Sequence, residues 1–290
     1  MPIDGAVIRY PVPVTDLATD LADAPHAGVL WRAGPGRLLF HVPQVARYLV
    51  SGGNLIEIEP CAGAHARMVR RFLRMTPAAA LYLQRGIPVL HAAVAVDQDG
   101  RAVALAGDSG SGKSVLLATL LRRGWRLLAD DLAPVTLDRN HVPVAVPTWP
   151  EIRPWPGHAG LTTAGLDRGL GREFVREPRP ISAIWWLGVH GGDAVETRAV
   201  EGIARFDAFG AMAYNRLIAG ALLDRRSYLA VAAAVVGAAI PIRRLLRPRD
   251  RWTADELARM VSGGRPGRSA VRGETVLEPA QEPPHHQAPL

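Results

Sequence analysis

Residues Gly107-Asp108-Ser109-Gly110-Ser111-Gly112-Lys113-Ser114 satisfy the spacing G-x-x-x-x-G-K-[ST]. Glycines at these positions let successive backbone N–H groups turn inward around a phosphate chain. The lysine then reaches the terminal phosphate oxygens, and the hydroxyl after it suits Mg²⁺. Lys113 is the only lysine among 290 residues, so a chain almost without lysine keeps one where this chemistry requires it. The pattern predicts a loop that binds nucleotide phosphates. A second signal is Asp130–Asp131, which closes the run WRLLADD and ends 18 residues after that lysine. Carboxylates at a strand end beside such a loop can hold Mg²⁺ or take a proton from an attacking hydroxyl. Successive residues of a strand face opposite ways, so one aspartate towards the metal and the other towards the acceptor is the natural division.

These groups need an α/β scaffold. Upstream of the loop, IPVLHAAVAVD reads as a strand, QDG as a turn and RAVALAG as a second strand. A helix is expected over Lys113 to Arg123, stopped by Gly124, and then the strand WRLLADD. This strand–loop–helix–strand order opens a nucleotide-binding α/β domain. APVTLDRNHVPVAVP predicts a hairpin over Arg139–Asn140, and ISAIWWLGV and AVETRAVE predict further strands. Helices are expected at about 203–224 and 226–239, followed by a short strand at IPIRRL and a last helix at ADELARMV. The tryptophans Trp185–Trp186 read as core and surface packing rather than as a cofactor pocket. The first 60 residues alternate as short strands, among them GVLWRAG, GRLLFHV and NLIEIEP, and Ala64 to Arg85 carries apolar residues at helical spacing. The predicted organisation is a small α+β module over 1–85, a P-loop nucleotide-binding domain over 86–262 and a disordered, proline-rich tail over 263–290. In that tail His285–His286 read as solvated residues.

Composition narrows the classes. Hydrophobic residues make up 48% and charged residues 21%, which excludes wholesale disorder. A lone cysteine, Cys61, excludes an internal disulfide framework and a cysteine-based zinc cluster. The net charge of +7 is carried by arginine and reads as a solubility-setting surface, so no nucleic-acid partner is expected. The longest apolar run, Leu229 to Ile240, is 12 residues, short of the roughly 20 that a membrane helix needs. With no signal-like apolar core in MPIDGAVIRY, no membrane partner is expected and the expected location is the cytoplasm.

The motifs together resemble the catalytic domain of the HPr kinase/phosphorylase family, whose fold is an HPr kinase/PEP carboxykinase-like P-loop core. The family pattern GDSGxGKS, a helix ending in R-G and an R-L-[VI]-A-D-D strand appear here as GDSGSGKS, Arg123–Gly124 and RLLADD. The match is close over about 86–155 and looser towards 260. The resemblance implies ATP and Mg²⁺ as cofactors, with Gly107, Asp108, Ser109, Gly110, Ser111, Gly112, Lys113 and Ser114 binding the nucleotide. It implies Ser114 as a metal-ligating hydroxyl and Asp131 as the group that takes the acceptor proton, which leaves Asp130 for the metal. His91, in VLHAAVAV, matches the family's active-site histidine with a spacing shifted by about one residue. Glu151, in Glu151–Ile152–Arg153, echoes the L-E-I-R-G segment whose glutamate binds metal.

The layout FHVPQVARYLV, LYLQRGIPVLH and PEIRPWP is similar to HPr-kinase-related proteins linked to peptide natural products, some resembling lasso-peptide kinases. This implies a serine kinase acting on a peptide, with a lasso-peptide precursor as one candidate. The family's dephosphorylation segment has no clear counterpart, which leaves the reverse reaction open. Its later catalytic arginine has Arg216, in AYNRL, as a candidate, equally readable as a helix-surface arginine. A homo-oligomer is compatible with the resemblance, though the N-terminal region differs from the family's. Arg243, Arg244, Arg247, Arg249 and Arg251 form a basic run that reads as a solvated surface or as an attractor for an acidic peptide. Two other readings remain open on the residues alone: a nucleotide-dependent scaffold or regulator without transfer, and a kinase for a small-molecule hydroxyl.

Overall fold

Short alternating runs separated by glycine turns can only bury one face each by pairing with their neighbours. In the computed structural model, which describes residues 5–13, 21, 23–150, 174–251 and 253–263, the first such runs form a six-stranded sheet. Its strands are β1 (Val7–Arg9), β2 (His26–Gly28), β3 (Trp31–Gly34), β4 (Arg37–Val42), β5 (Ala46–Ser51) and β6 (Leu55–Pro60). From β2 to β6 each strand pairs antiparallel with the next, and β1 closes the edge parallel to β6. Leu38, Phe40, Tyr48, Val50, Ile56 and Ile58 point to one side and are buried. On that side lie helices α1 (Ala66–Leu73) and α2 (Thr76–Gln84). The single helix expected over 64–85 is therefore two, with the break at Arg74–Met75 just before Pro77, which has no N–H to bond the Leu73 carbonyl four residues back and so sits in the first turn of the second helix. The core of this sheet continues past residue 85, taking in Val89, Leu132, Trp149, Ile218 and Ala219.

The second sheet is mixed and has nine strands. They are β7 (Val89–Leu90), β8 (Ala92–Val96), β9 (Ala102–Gly107), β10 (Arg126–Ala129), β11 (Ala133–Leu137), β12 (Pro143–Ala145), β13 (Arg179–His190), β14 (Glu196–Val200) and β15 (Ile242–Pro248). The long strand β13 is its spine, flanked by β9 and β15, both parallel to it. Strand β9 is buried along its whole length, which is why it reads as an unbroken apolar run. One face carries Val94, Ala104, Ile184 and Ile242 against helices α4 (Ala204–Ala211) and α6 (Arg225–Gly237). The other carries Leu105, Trp185, Leu187 and Leu245 against helices α3 (Lys113–Arg122) and α7 (Ala254–Val261). Trp185 and Trp186 thus go to opposite faces as packing residues, with Arg243 over the first ring at 5.6 Å and Arg244 over the second at 4.1 Å. The chain is a mixed α/β protein. No helix among the described residues is long and apolar enough to cross a membrane.

Beyond residue 85, three predicted elements are interrupted. The run IPVLHAAVAVD bends at His91 between β7 and β8. The helix expected over 203–224 stops after α4 and restarts as α5 (Arg216–Leu222). Between them Ala213 bridges to Leu90, and Asn215, at φ 45°, caps α5 by accepting from the Ile218 N–H. The strand WRLLADD ends at Ala129, ahead of both aspartates.

Candidate active site

All three interruptions fall around one place, the C-terminal end of β9. The strand stops at Gly107, paired with Leu187 of β13, and the chain turns through an exposed tip, Asp108 to Gly110, into α3. Gly107 sits at φ 146°, and a Cβ there would lie 2.6 Å from the Leu187 carbonyl oxygen and 2.8 Å from Ser111 Oγ. Gly112 sits at φ 104° as the residue that opens α3, a conformation that side chains rarely adopt. The glycine spacing therefore answers a close approach at one end of the loop and a left-handed turn at the other.

Lys113 begins α3 and folds its side chain back over the loop, Nζ donating to the Gly107 carbonyl at 2.6 Å and to the Asp108 carbonyl at 2.9 Å. It is buried. Burial pulls its pKa below the ordinary lysine value, and Asp131, Asp130 and Asp108 act in the opposite direction by favouring the charged form. The three carboxylates are thus electrostatic neighbours of the one lysine. Ser111 is buried too, and its Oγ has no hydrogen-bond partner among the described residues.

Asp130 is buried and Asp131 half-buried just past the end of β10. Asp131 takes φ 67°, a left-handed backbone that costs a non-glycine residue energy and is held by its surroundings. His91 Nε2 lies 2.8 Å from Asp131 Oδ1. An ionised carboxylate only accepts, so the imidazole is the donor whenever Asp131 is charged. The His91 position is set in turn by its own N–H donating to the Met212 carbonyl at 2.8 Å and by the Tyr214 ring edge-on to the imidazole at 6.0 Å. The bend in the strand run is what frees His91 from β pairing and turns it to Asp131.

Of the residues singled out from sequence, His91 and Asp131 are in contact, and Lys113 is coupled to Asp130 and Asp131 by charge. Glu151 lies outside the described residues, as do His285 and His286. Arg216 is exposed at the start of α5, on the same segment as Tyr214. The basic run is dispersed: Arg243 and Arg244 lie over tryptophan rings, Arg251 pairs with Glu256 at 3.0 Å, and Arg247 bonds the 107–112 loop. Sequence reasoning missed Tyr214, the Met212 carbonyl and the loop contact of Arg247. All three are long-range, and the only signal for Arg247 was its parity with Leu245 along β15.

The loop fits a phosphate chain by its donor set: backbone amides at the start of α3, one lysine, and glycines where a Cβ would crowd the turn. The Ser114 hydroxyl and the Asp130 carboxylate are hard oxygen donors of the kind Mg²⁺ takes alongside phosphate oxygens and water. Among the described residues no three His, Cys, Asp or Glu side chains group together as a cage of their own. A cation here would need oxygens from its ligand.

No protein-family model matches the sequence, and no curated protein does either. Among solved structures, the Hpr(Ser) kinase/phosphatase from Coxiella burnetii is similar over 61% of this chain and 89% of its own, at 14% identity and a TM-score of 0.32. At that TM-score the likeness decides nothing, and the chemistry of the site rests on this chain's own residues.

Proposed function

We propose that the protein is an ATP- and Mg²⁺-dependent kinase that transfers the γ-phosphoryl group to a serine hydroxyl of a peptide. The observation that carries this reading is the His91–Asp131 pair standing beside a glycine-rich loop whose lysine feels the Asp131 charge. A site for binding alone has no need of a strained aspartate held by a histidine.

In this reading the amides at the start of α3 and Lys113 hold the phosphates. Ser114 and Asp130, with Glu151 as a further candidate, would hold Mg²⁺, whose chemistry is to neutralise charge on the phosphate oxygens. Asp131 accepts the proton as the serine oxygen attacks the γ-phosphorus in line. The bond from that phosphorus to the β–γ bridging oxygen breaks, ADP leaves, and Asp131 returns the proton to solvent. His91 holds one oxygen of the carboxylate and so fixes its direction. Rate enhancement comes from positioning and electrostatics rather than from a covalent intermediate.

The peptide acceptor, with a lasso-peptide precursor as the first candidate, a cytoplasmic location and a homo-oligomer belong to the same proposal and rest on the motif resemblance. Incubation with ATP, Mg²⁺ and serine-containing precursor peptides, read by intact mass, tests it. A gain of about 80 Da, the mass of one phosphoryl group, is expected on a peptide and is lost in Lys113→Ala. ATP binding with no product on any peptide would favour the scaffold instead, and product on a free metabolite the small-molecule kinase.

A further inference from the structure

We propose that Arg247 is the positioning residue of the 107–112 loop: its guanidinium holds two loop carbonyls, and through that of Ser111 it aims the Gly112 amide at the phosphates. This role rests on the nucleotide-binding reading above.

Strand β15 pairs parallel with β13, Leu245 opposite Leu187 and Arg247 opposite Val189. Strand β9 ends at Gly107, opposite Leu187. Side chains two apart along a strand share a face, so Arg247 lies on the side of Leu245, which is buried with the leucines of α3. It sits two residues beyond the end of β9, level with the loop. From there Nε donates to the Ser111 carbonyl at 3.2 Å and one terminal nitrogen to the Gly110 carbonyl at 3.2 Å. The other terminal nitrogen donates to the Pro248 carbonyl at 3.1 Å, tying the head group to its own strand.

In a planar trans peptide the C=O and the N–H point in opposite directions. Holding the Ser111 carbonyl outward therefore turns the Gly112 N–H inward, towards the side on which a phosphate chain would lie. The Gly110 carbonyl is held in the same way, and the amide that follows it, Ser111 N–H, donates within the loop to the Asp108 carbonyl at 3.2 Å. A planar fork can engage two carbonyls at once, which a lysine ammonium on a flexible stem does less well. Gly112 is required by its φ of 104° rather than by the fork, since a Cβ there would meet Arg247 Nε at 3.4 Å, an ordinary contact distance.

The same segment grips the far end of the unit. Arg123, which follows α3, pairs with Asp255 of α7 at 2.7 Å, and Leu257, Ala258 and Val261 share a core with Leu116, Leu117, Leu120 and Leu121. Among the described residues Arg247 bonds only carbonyls, so its charge adds to the loop's pull on anions.

The experiment measures ATP and ADP affinity by displacement of a fluorescent nucleotide from the full chain. Arg247→Ala is expected to weaken both by about tenfold to a hundredfold, the range for losing hydrogen bonds from a charged donor. Its melting temperature without nucleotide should stay close to wild type. Arg247→Lys should fall between the two, and added guanidinium ion should restore binding to Arg247→Ala. Arg243→Ala, on the same face of the same strand, should bind as wild type does and gain nothing from guanidinium. Unchanged affinity in Arg247→Ala overturns the proposal. If that variant does not fold, Arg247→Lys decides: affinity equal to wild type overturns it, and a loss supports it. Wild-type protein that binds no ATP overturns the proposed function instead.

Discussion

The two sheets of this molecule are built on opposite principles. In the six-stranded sheet every antiparallel pair joins neighbours in sequence, so its register is set by turns a few residues long. In the nine-stranded sheet the spine joins β9, β13 and β15, segments far apart in the chain, in parallel. Parallel neighbours end on the same side, so Gly107, Leu187 and Arg247 arrive together although long stretches of chain separate them. Local pairing builds a stable platform, while long-range parallel pairing gathers chemistry at one edge. Damage to the first sheet should therefore cost stability, and damage at the strand ends of the second should cost binding.

The largest stability effect separates these two. Ile56 is fully buried between the six-stranded sheet and its helices. Ile56→Ala is expected to destabilise by about 2–5 kcal/mol, the range for removing a large aliphatic side chain from a core. Urea unfolding measures the loss, and nucleotide affinity of the folded fraction should not move. A drop in affinity as large as that of a loop variant would break the contrast.

Gly107→Ala sharpens it from the other side. The added methyl meets the Leu187 carbonyl oxygen at 2.6 Å from a backbone at φ 146°. A cost of about 1–3 kcal/mol is expected, with a fall in ATP affinity out of proportion to the lost stability. Calorimetric titration beside thermal melting checks both.

The smallest effect lies in the second sheet's region but away from the strand ends. Asp224 caps α6, and the Ser227 N–H, followed by the Ser227 hydroxyl, holds its carboxyl below the ordinary value of 3.8. A lowered folded-state pKa gives stability that is present above 3.8 and lost as pH falls through the folded value. Asp224→Ala should lower the melting temperature slightly at pH 7, and the gap to wild type should close in acid. ATP affinity should stay the same.

What the sequence made legible was local. The spacing in GDSGSGKS, the apolar strand before it and the helix after it all stand where the residues put them, because glycine freedom and periodicity act within a few positions. The hairpin at Arg139–Asn140 is there as well, since the Asp138 side chain accepts from the N–H groups of Asn140 and Val142. The breaks were not legible. Nothing in IPVLHAAVAVD signals that His91 leaves the strand, because the bend is imposed by hydrogen bonds to Met212 and Tyr214, over a hundred residues away. The break in the predicted 203–224 helix has the same origin, since the strand at Val89–Leu90 needs partners and takes Ala213 and Tyr214. The fate of the basic run was not legible for a different reason. Arg244 faces away from Arg243 and Arg247 on β15, and Arg249 and Arg251 lie past its end, so neighbours in the chain do not share one environment.

The central claim is that Asp131 acts on the acceptor while the 107–114 loop acts on the nucleotide. Asp131→Asn keeps the size of the side chain and leaves an amide next to His91. Its ATP affinity and its phosphoryl transfer to peptide should be measured side by side with wild type. The account predicts near-normal ATP affinity with transfer reduced at least about a hundredfold, the contribution of a positioned general base. Transfer at the wild-type rate would contradict it.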